Sequence, residues 1–475
     1  MSKREHVHLI GIGGTGMAGL AGLLHQSGCR VTGSDGPLYP PTSTLLEDWK
    51  LEVYEGYDAA HLDPAPDLVV VGNAVRRGNP EAEAVLDRRQ PHTSMPRLIS
   101  ERFLADRHSI VVSGTHGKTT TASMLAWVLQ SAGRDPGFLI GGMPLDLEGP
   151  CRLGSGPAFV IEGDEYDTAF FDKGPKFMHY RPDTLLVGTV EFDHADIFRD
   201  LEQIKTTFKR LTNIVPGRGR ILRHEDREIT REVTDAAFCP IEGYGLERGH
   251  WRAVDLEMRD ERQAFRVLRG GEPFCEIEMD SAGQHNVQNA LAVIGAASEQ
   301  GLTPVEIARG LATFRGVARR LQLRGEQGGV RVIDDFAHHP TAVELTLGAA
   351  RKRYPEGRLW AVLEPRSWSM RRNVFQERLR NAFGAADQVV IAAVHGSDQI
   401  PADERLDPEA LVAALSGDGK DAAFLAGVDA IVDHLSAGVR PGDTVVVMSN
   451  GGFGGIHERL LESFAAQSAQ AGNGA

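Results

Sequence analysis

Short runs of aliphatic and β-branched residues alternate along the chain with polar turns and with stretches whose apolar positions recur every three or four residues. The run at 6–10 passes through Gly11, Gly13 and Gly16 into Met17, Leu20, Leu23 and Leu24. The run at 109–112 passes through Gly114 and Gly117 into Met124, Leu125, Val128 and Leu129. Each reads as strand, glycine turn and helix, the repeating unit of an open parallel sheet. Further strands are predicted at 30–32, 67–71, 158–161 and 184–190, and Asn79 with Pro80 can start a helix rich in Glu and Ala.

The pattern then changes. From 251 to 279 apolar residues alternate (Val254, Leu256, Met258, then Phe265 and Val267), with Gly270 and Gly271 as a hairpin turn. This predicts a small antiparallel sheet appended to the central domain. A helix opened by Gly283 follows. Residues 314–322 turn basic and lose their apolar period, which predicts a linker. Beyond it, strands at 330–333, 359–363, 389–392 and 444–448 form a third α/β unit, with a glycine-rich turn before a helix at 449–455, a candidate anion nest. The expected architecture is α/β in three domains. Residues 1–107 form a Rossmann-like domain, 108–317 a central P-loop ATPase-like domain with a small antiparallel sheet, and 318–475 a second Rossmann-like domain. The small polar residues of 465–475 read as a frayed tail.

A chain of 475 residues is long enough for several cores, and its net charge of −14 argues against general affinity for nucleic acid or an anionic membrane. Cys29, Cys151, Cys239 and Cys275 are far apart with no CxxC pair, so neither a zinc knuckle nor a disulfide framework is suggested. With no signal peptide and no apolar run of membrane-spanning length, a cytoplasmic protein is expected, monomeric or a weak dimer.

Candidate chemistry centres on the GTHGKTT loop. Successive backbone N–H groups of a glycine loop can face phosphate, Lys118 can reach the outer phosphates, and the Thr119 hydroxyl can ligate Mg²⁺. The loop is a short form, with Val112 where the usual pattern has its first glycine. Glu162, at the end of a neighbouring strand, stands where a second Mg²⁺ ligand would. His194, after the 184–190 strand, could ligate metal or orient phosphate. The first turn, G-x-G-x-x-G with Asp35 after the next strand, fits a dinucleotide fingerprint, another nucleotide diphosphate, or a tight turn alone.

Taken together, GIGGTGM, GTHGKTTT, IEGDE, EFDHAD, GQHNVQN, ARRLQ and DDFAHHP, in that order, resemble the Mur ligase family, ATP-dependent enzymes that form amide bonds in peptidoglycan precursors. The resemblance implies that Gly114, Thr115, His116, Gly117, Lys118, Thr119 and Thr120 hold the ATP phosphates. Thr119, Glu162 and His194 would ligate Mg²⁺. Asn286 and Asn289 match residues that contact adenine, Arg320 or its neighbour Arg319 the phosphate-binding arginine, and Asp335 the nucleoside end of ATP. Lys118, His194 and Arg320 would serve catalysis. Gly11, Gly13, Gly14, Thr15, Gly16, Met17, Ser34, Asp35 and Asn73 would hold UDP-N-acetylmuramate, and Arg366 the peptide.

Within the family, EGDEYDTAFFDKGPKFMHYRP, LEPRSWSMRRNVF and MSNGGFGGIH look like the branch that joins UDP-N-acetylmuramate to the murein tripeptide L-alanyl-γ-D-glutamyl-meso-diaminopimelate in peptidoglycan recycling. The L-alanine-adding branch is the alternative. Three positions depart from relatives: Thr189 replaces the usual Asn, Phe208 falls where several members carry a carbamylated lysine, and Trp368 stands where Asn is expected. If the first turn serves a UDP-sugar, fluorescence titration with NADH is expected to give no saturable binding.

Overall fold

The computed structural model describes residues 4–193 and 197–473, those from 469 onward by backbone alone. Three sheets follow one another. The first is parallel, in the order Glu52–Glu55, Arg30–Asp35, His6–Ile10, Leu68–Val71 and His92–Ser94. Its central strand HVHLI is buried at every position, as a strand covered on both faces must be.

The helix Thr15–Gln26 is buried along Met17 to Leu24, more than one sheet face could cover. Its other side lies on the edge of the second sheet: a Cβ at Gly19 would run into Leu139, and one at Gly22 into Cys151. Leu9, Leu20 and Leu24 therefore belong to the same apolar cluster as Val111, Phe159 and Leu185.

The second sheet has ten strands, in the order Glu272–Met279, Arg262–Arg269, Trp251–Arg259, Ile241–Gly245, Arg220–His224, Thr184–Val187, His108–Ser113, Ala158–Gly163, Gly137–Leu139 and Cys151–Arg152. The antiparallel strands expected at 251–279 are present, appended to the edge of the central sheet. Tyr244 pairs with Trp251 in parallel register, so the hairpins continue the central sheet. Arg269 and Glu272 pair across Gly270 and Gly271, both at positive φ, as a two-residue hairpin loop requires. Helices Lys118–Ser131, Gln284–Glu299 and Pro304–Thr313 pack into the cluster that also holds Ile110, Trp251 and Phe265. Phe208 is buried, its ring 5.6 Å from that of Phe177, while Lys209 faces outward to Glu232 at 2.9 Å.

The segment 314–321 is tied to the central domain. Leu145 N–H donates to the Gly316 carbonyl at 3.0 Å, Ala318 N–H to that of Met143 at 2.9 Å, and Arg315 N–H to Asp146 at 2.7 Å. Positive φ at Arg319 (62°) and Leu321 (47°) then turns the chain into the third sheet. That sheet runs Gln322–Gln327, Val330–Asp335, Thr444–Met448, Leu359–Leu363, Gln388–Ala392 and Asp421–Leu425, all parallel except the first.

Two of these strands were not anticipated. Gln322–Gln327 and Asp421–Leu425 are edges, the first mostly exposed and the second mostly half-buried, so neither demands an apolar run. The expected frayed tail is instead the end of a helix, Ile456–Asn473. No helix among the described residues is long and apolar enough to cross a membrane.

The Asn79 carboxamide accepts the N–H groups of Glu81 and Ala82, capping the helix Pro80–Asp87. Asn79→Ala is expected to cost about 1 kcal/mol, read as a lower urea midpoint of the first unfolding transition.

Candidate active site

The phosphate loop leaves the buried strand His108–Ser113 and enters the helix Lys118–Ser131. Gly117 makes the turn at φ 80°, and a Cβ there would lie 2.8 Å from Asn289 Oδ1, so only glycine fits. No side chain caps this helix, which leaves its first N–H groups facing the loop. The expected strand through Val190 ends at Val187; Gly188 and Thr189 turn out to hold the loop, with Thr115 N–H donating to the Thr189 carbonyl at 2.6 Å.

Lys118 Nζ donates to the Gly114 carbonyl at 2.7 Å and to Glu165 Oε2 and Oε1 at 2.8 and 3.0 Å. Burial works against its ammonium, but Glu165, Asp164 and Glu162 outweigh that and hold its pKa above the ordinary lysine range. Thr119 Oγ1 donates to Glu162 Oε2 at 3.1 Å, and Gly141 N–H to Glu162 Oε1 at 2.7 Å. Burial pushes Glu162 up, and these donors together with Lys118 do not offset it. A buried carboxylate beside a hydroxyl, in reach of phosphate, is a hard-oxygen donor set that suits Mg²⁺. His194, expected as a further ligand, lies outside the described residues.

A cavity of about 590 Å³ opens over the loop toward the third domain, lined among others by Lys118, Thr119, Asn286, Asn289, Arg320 and His338. The structure distinguishes the two candidate arginines. Arg320 lines the cavity, whereas Arg319 Nη2 donates to the carbonyls of Ser449 and Gly451 at 2.6 and 2.7 Å. The turn at 449–455, expected as an anion nest, thus offers carbonyls to an arginine, and Gly451 N–H is taken by Ser449 Oγ at 2.9 Å.

Asp335 also lines the cavity, but its carboxylate accepts Leu321 N–H, Ala337 N–H and Thr346 Oγ1 at 2.7, 2.8 and 3.1 Å. These bonds fix the bend into the third domain. Asn286 bonds the Ala282 carbonyl at 2.8 Å and Asn289 at 3.3 Å.

In the first domain, Gly14 starts the helix Thr15–Gln26 without a side-chain cap, and Gly14 and Thr15 are exposed, so this turn can face an anion. Asn73 is exposed on the neighbouring turn. Other expected contacts point inward. Met17 is buried, and Ser34, fully buried, donates its hydroxyl to Glu81. Asp35 accepts Gly13 N–H at 2.7 Å, Gly36 N–H at 2.8 Å and the Tyr57 hydroxyl at 2.9 Å. It ties the glycine turn to the strand Arg30–Asp35.

Across the cavity, Glu191 joins two domains. Its N–H donates to Thr115 Oγ1 at 2.9 Å, and its Oε2 accepts the Thr341 hydroxyl at 2.8 Å, lies 3.6 Å from His116 Nε2 and 3.5 Å from Arg378. His116, Glu191 and His339 converge within 4.8 Å, close enough to hold a metal ion. The protonation of His339 argues otherwise: its Nδ1 accepts Thr341 N–H at 3.3 Å, and burial holds its pKa down to about 4. The neutral ring therefore carries its proton on Nε2, which finds no hydrogen-bond partner among the described residues.

Sequence reasoning missed Glu165 and Glu191. Both lie in acidic segments already singled out, but one carboxylate in such a run reads like the next until the fold buries it.

The chain belongs to the Mur ligase family. Residues 6–107 match the Mur ligase family catalytic domain, 112–297 the Mur ligase middle domain, and 319–451 the Mur ligase glutamate ligase domain. It is 46% identical over 464 residues to the UDP-N-acetylmuramate–L-alanyl-γ-D-glutamyl-meso-2,6-diaminoheptandioate ligase of Escherichia coli strain K12, spanning 97% of this chain and 98% of that one. A murein peptide ligase of Psychrobacter arcticus 273-4, solved as a crystal structure, is 38% identical with a TM-score of 0.72 over 97% of this chain and 99% of its own. A UDP-N-acetylmuramate–L-alanine ligase of Rubrobacter xylanophilus is 35% identical over 459 residues, 96% of this chain and 99% of that one.

Burial pushes the Glu191 carboxyl up, but His116, the Thr341 hydroxyl and His339 together hold it at about 2, below its ordinary 4.5. A depressed carboxylate stabilises the fold fully above the unfolded value and loses that contribution as pH falls through the folded one. The stability difference between the parent and Glu191→Gln is therefore expected to be constant near neutral pH and to shrink between about 4.5 and about 2, as read by urea denaturation.

Proposed function

We propose that this chain is an ATP-dependent ligase that joins UDP-N-acetylmuramate to L-alanyl-γ-D-glutamyl-meso-2,6-diaminoheptandioate through an acyl phosphate, with Mg²⁺, in peptidoglycan recycling in the cytoplasm. In this reading residues 1–107 hold the UDP-sugar at the turn of Gly11 to Gly16, 108–317 hold ATP, and 318–475 hold the peptide and close over the nucleotide. What supports it most is the convergence of Lys118, Thr119 and Arg320 on one cavity between the central and third domains, with Glu162 hydrogen-bonded to Thr119 behind it. The tripeptide is favoured over L-alanine by the greater likeness to the tripeptide ligase of E. coli, at 46% against 35% for the alanine ligase.

A carboxylate does not acylate an amine at neutral pH, so the lactyl carboxylate is first phosphorylated. The peptide amine then attacks the acyl carbon and phosphate leaves through a tetrahedral intermediate. Each step gathers negative charge. Lys118 starts out paired with Glu165 and exchanges that carboxylate for the phosphates of ATP, while Arg320 faces the same charge from the third domain. Thr119 and Glu162 would hold Mg²⁺, whose positive charge would add to that of Lys118 and Arg320.

Phosphate release in the presence of UDP-N-acetylmuramate is expected to be faster with the tripeptide than with L-alanine. Faster release with L-alanine would overturn the peptide assignment and leave the family standing. Lys118→Ala is expected to lower ligation by about a hundredfold to a thousandfold or more; undiminished product would remove the basis of the reading.

A further inference from the structure

The lysine of the phosphate loop is fully engaged by the protein. An ammonium has three N–H bonds, and Lys118 Nζ has three close acceptors: the Gly114 carbonyl at 2.7 Å and the two Glu165 oxygens at 2.8 and 3.0 Å. Glu165 is 3% exposed, so water screens the pair little. A phosphate meets all of this lysine's charge only after the carboxylate has moved. Exchanging one anion for another costs little in charge, so what delays the exchange is the anchoring of Glu165.

That anchoring leads out of the central domain. Just beyond Glu165 a hairpin begins, Asp167–Ala169 paired with Asp172–Pro175, which belongs to none of the three large sheets. Its foot is fastened beside the lysine. Lys176 Nζ donates to Asp164 Oδ2 at 2.5 Å, Lys176 N–H to the Tyr166 carbonyl at 3.0 Å, and Phe177 N–H to that of Asp164 at 3.2 Å.

The tip of the hairpin crosses to the first domain. Phe170 packs against the apolar cluster that holds Ile10, Val71, Val75 and Ala82, and the Phe171 ring lies 5.4 Å from that of His92. Two-residue hairpin turns favour glycine, asparagine and aspartate, so two phenylalanines there give up turn chemistry for contact. Val75 links the cluster to the glycine turn: a Cβ at Gly11 would lie 3.3 Å from its Cγ2. The turn read above as the sugar site, the hairpin and the Lys118–Glu165 pair are thus in continuous contact.

We propose that the Lys118–Glu165 pair is an autoinhibitory contact, and that a UDP-sugar at the first domain's glycine turn loosens it through the hairpin 167–175. This rests on the function proposed above and deepens it. The phosphate loop then takes up the triphosphate fully only when the sugar is in place. ATP held without the sugar has water as its only acceptor, and a lysine kept back by Glu165 limits that hydrolysis.

The test measures binding of the β,γ-imido analogue of ATP with Mg²⁺ by calorimetry, with and without saturating UDP-N-acetylmuramate. The proteins are the parent, Glu165→Gln, Phe170→Ala and Phe170→Leu. In the parent the sugar is expected to tighten the analogue about tenfold. Glu165→Gln is expected to bind it about tenfold tighter than the parent without sugar, and to gain little when sugar is added. Phe170→Ala should bind as the parent does without sugar and lose the tightening. Phe170→Leu, which keeps apolar bulk at the tip, should retain most of it.

Indifference of the parent to sugar would overturn the contact as a regulatory device. So would an equal gain in Glu165→Gln with and without sugar, which is the mere removal of a negative charge, and so would full tightening in Phe170→Ala. If Phe170→Ala does not fold, the Glu165→Gln comparison decides. Product formation by the parent from ATP, UDP-N-acetylmuramate and the tripeptide is read separately. No product overturns the function itself, whereas product without sugar-dependent tightening overturns the autoinhibitory contact alone.

Discussion

A lysine at the mouth of a helix N-terminus sits against the helix dipole, and the fold tolerates Lys118 there because carboxylates surround it. Glu165 pairs with it directly, while Glu162 and Asp164 act from nearby. The arrangement makes the site exchangeable. Its carboxylate partner can give way to phosphate at little net electrostatic cost, because one anion replaces another. Glu162 is on the opposite footing, since burial raises it and its hydrogen bonds do not compensate. One carboxylate thus balances the lysine, and the other is left to attract a cation.

The same loop is tied to the third domain. Glu191 holds Thr115 through its backbone and meets Thr341 and Arg378 through its side chain. Asp335 holds the bend at Leu321, from which Arg320 enters the cavity. The position of the third domain and the shape of the phosphate loop are therefore set by overlapping contacts. A change at one is felt at the other without any residue spanning the whole distance.

Strands buried on both faces were legible in the sequence because burial demands continuous apolar runs, as at His6–Ile10, Leu359–Leu363 and Thr444–Met448. Edge strands were not, because half their surface meets water and their composition resembles a loop. At the site, motif order pointed to the phosphate loop, and the fold placed Thr119 beside Glu162. It could not separate Arg319 from Arg320, since which of two adjacent side chains faces the cavity depends on the backbone path, which here turns at positive φ. Nor could it show that Ser34 bonds Glu81 and Asp35 the Gly13 N–H: a polar residue at a strand end reads the same whatever it faces.

The two glycines of the first helix carry a wider consequence. Because Gly19 and Gly22 let that helix lie directly on Leu139 and Cys151, the first and central domains share one apolar interior rather than two that merely touch. Grafting a foreign first domain onto this chain would thus require re-matching shapes across the seam. The distance between the first domain's glycine turn and the loop at Gly114–Lys118 is accordingly a fixed dimension, against which a single rigid inhibitor spanning both could be measured.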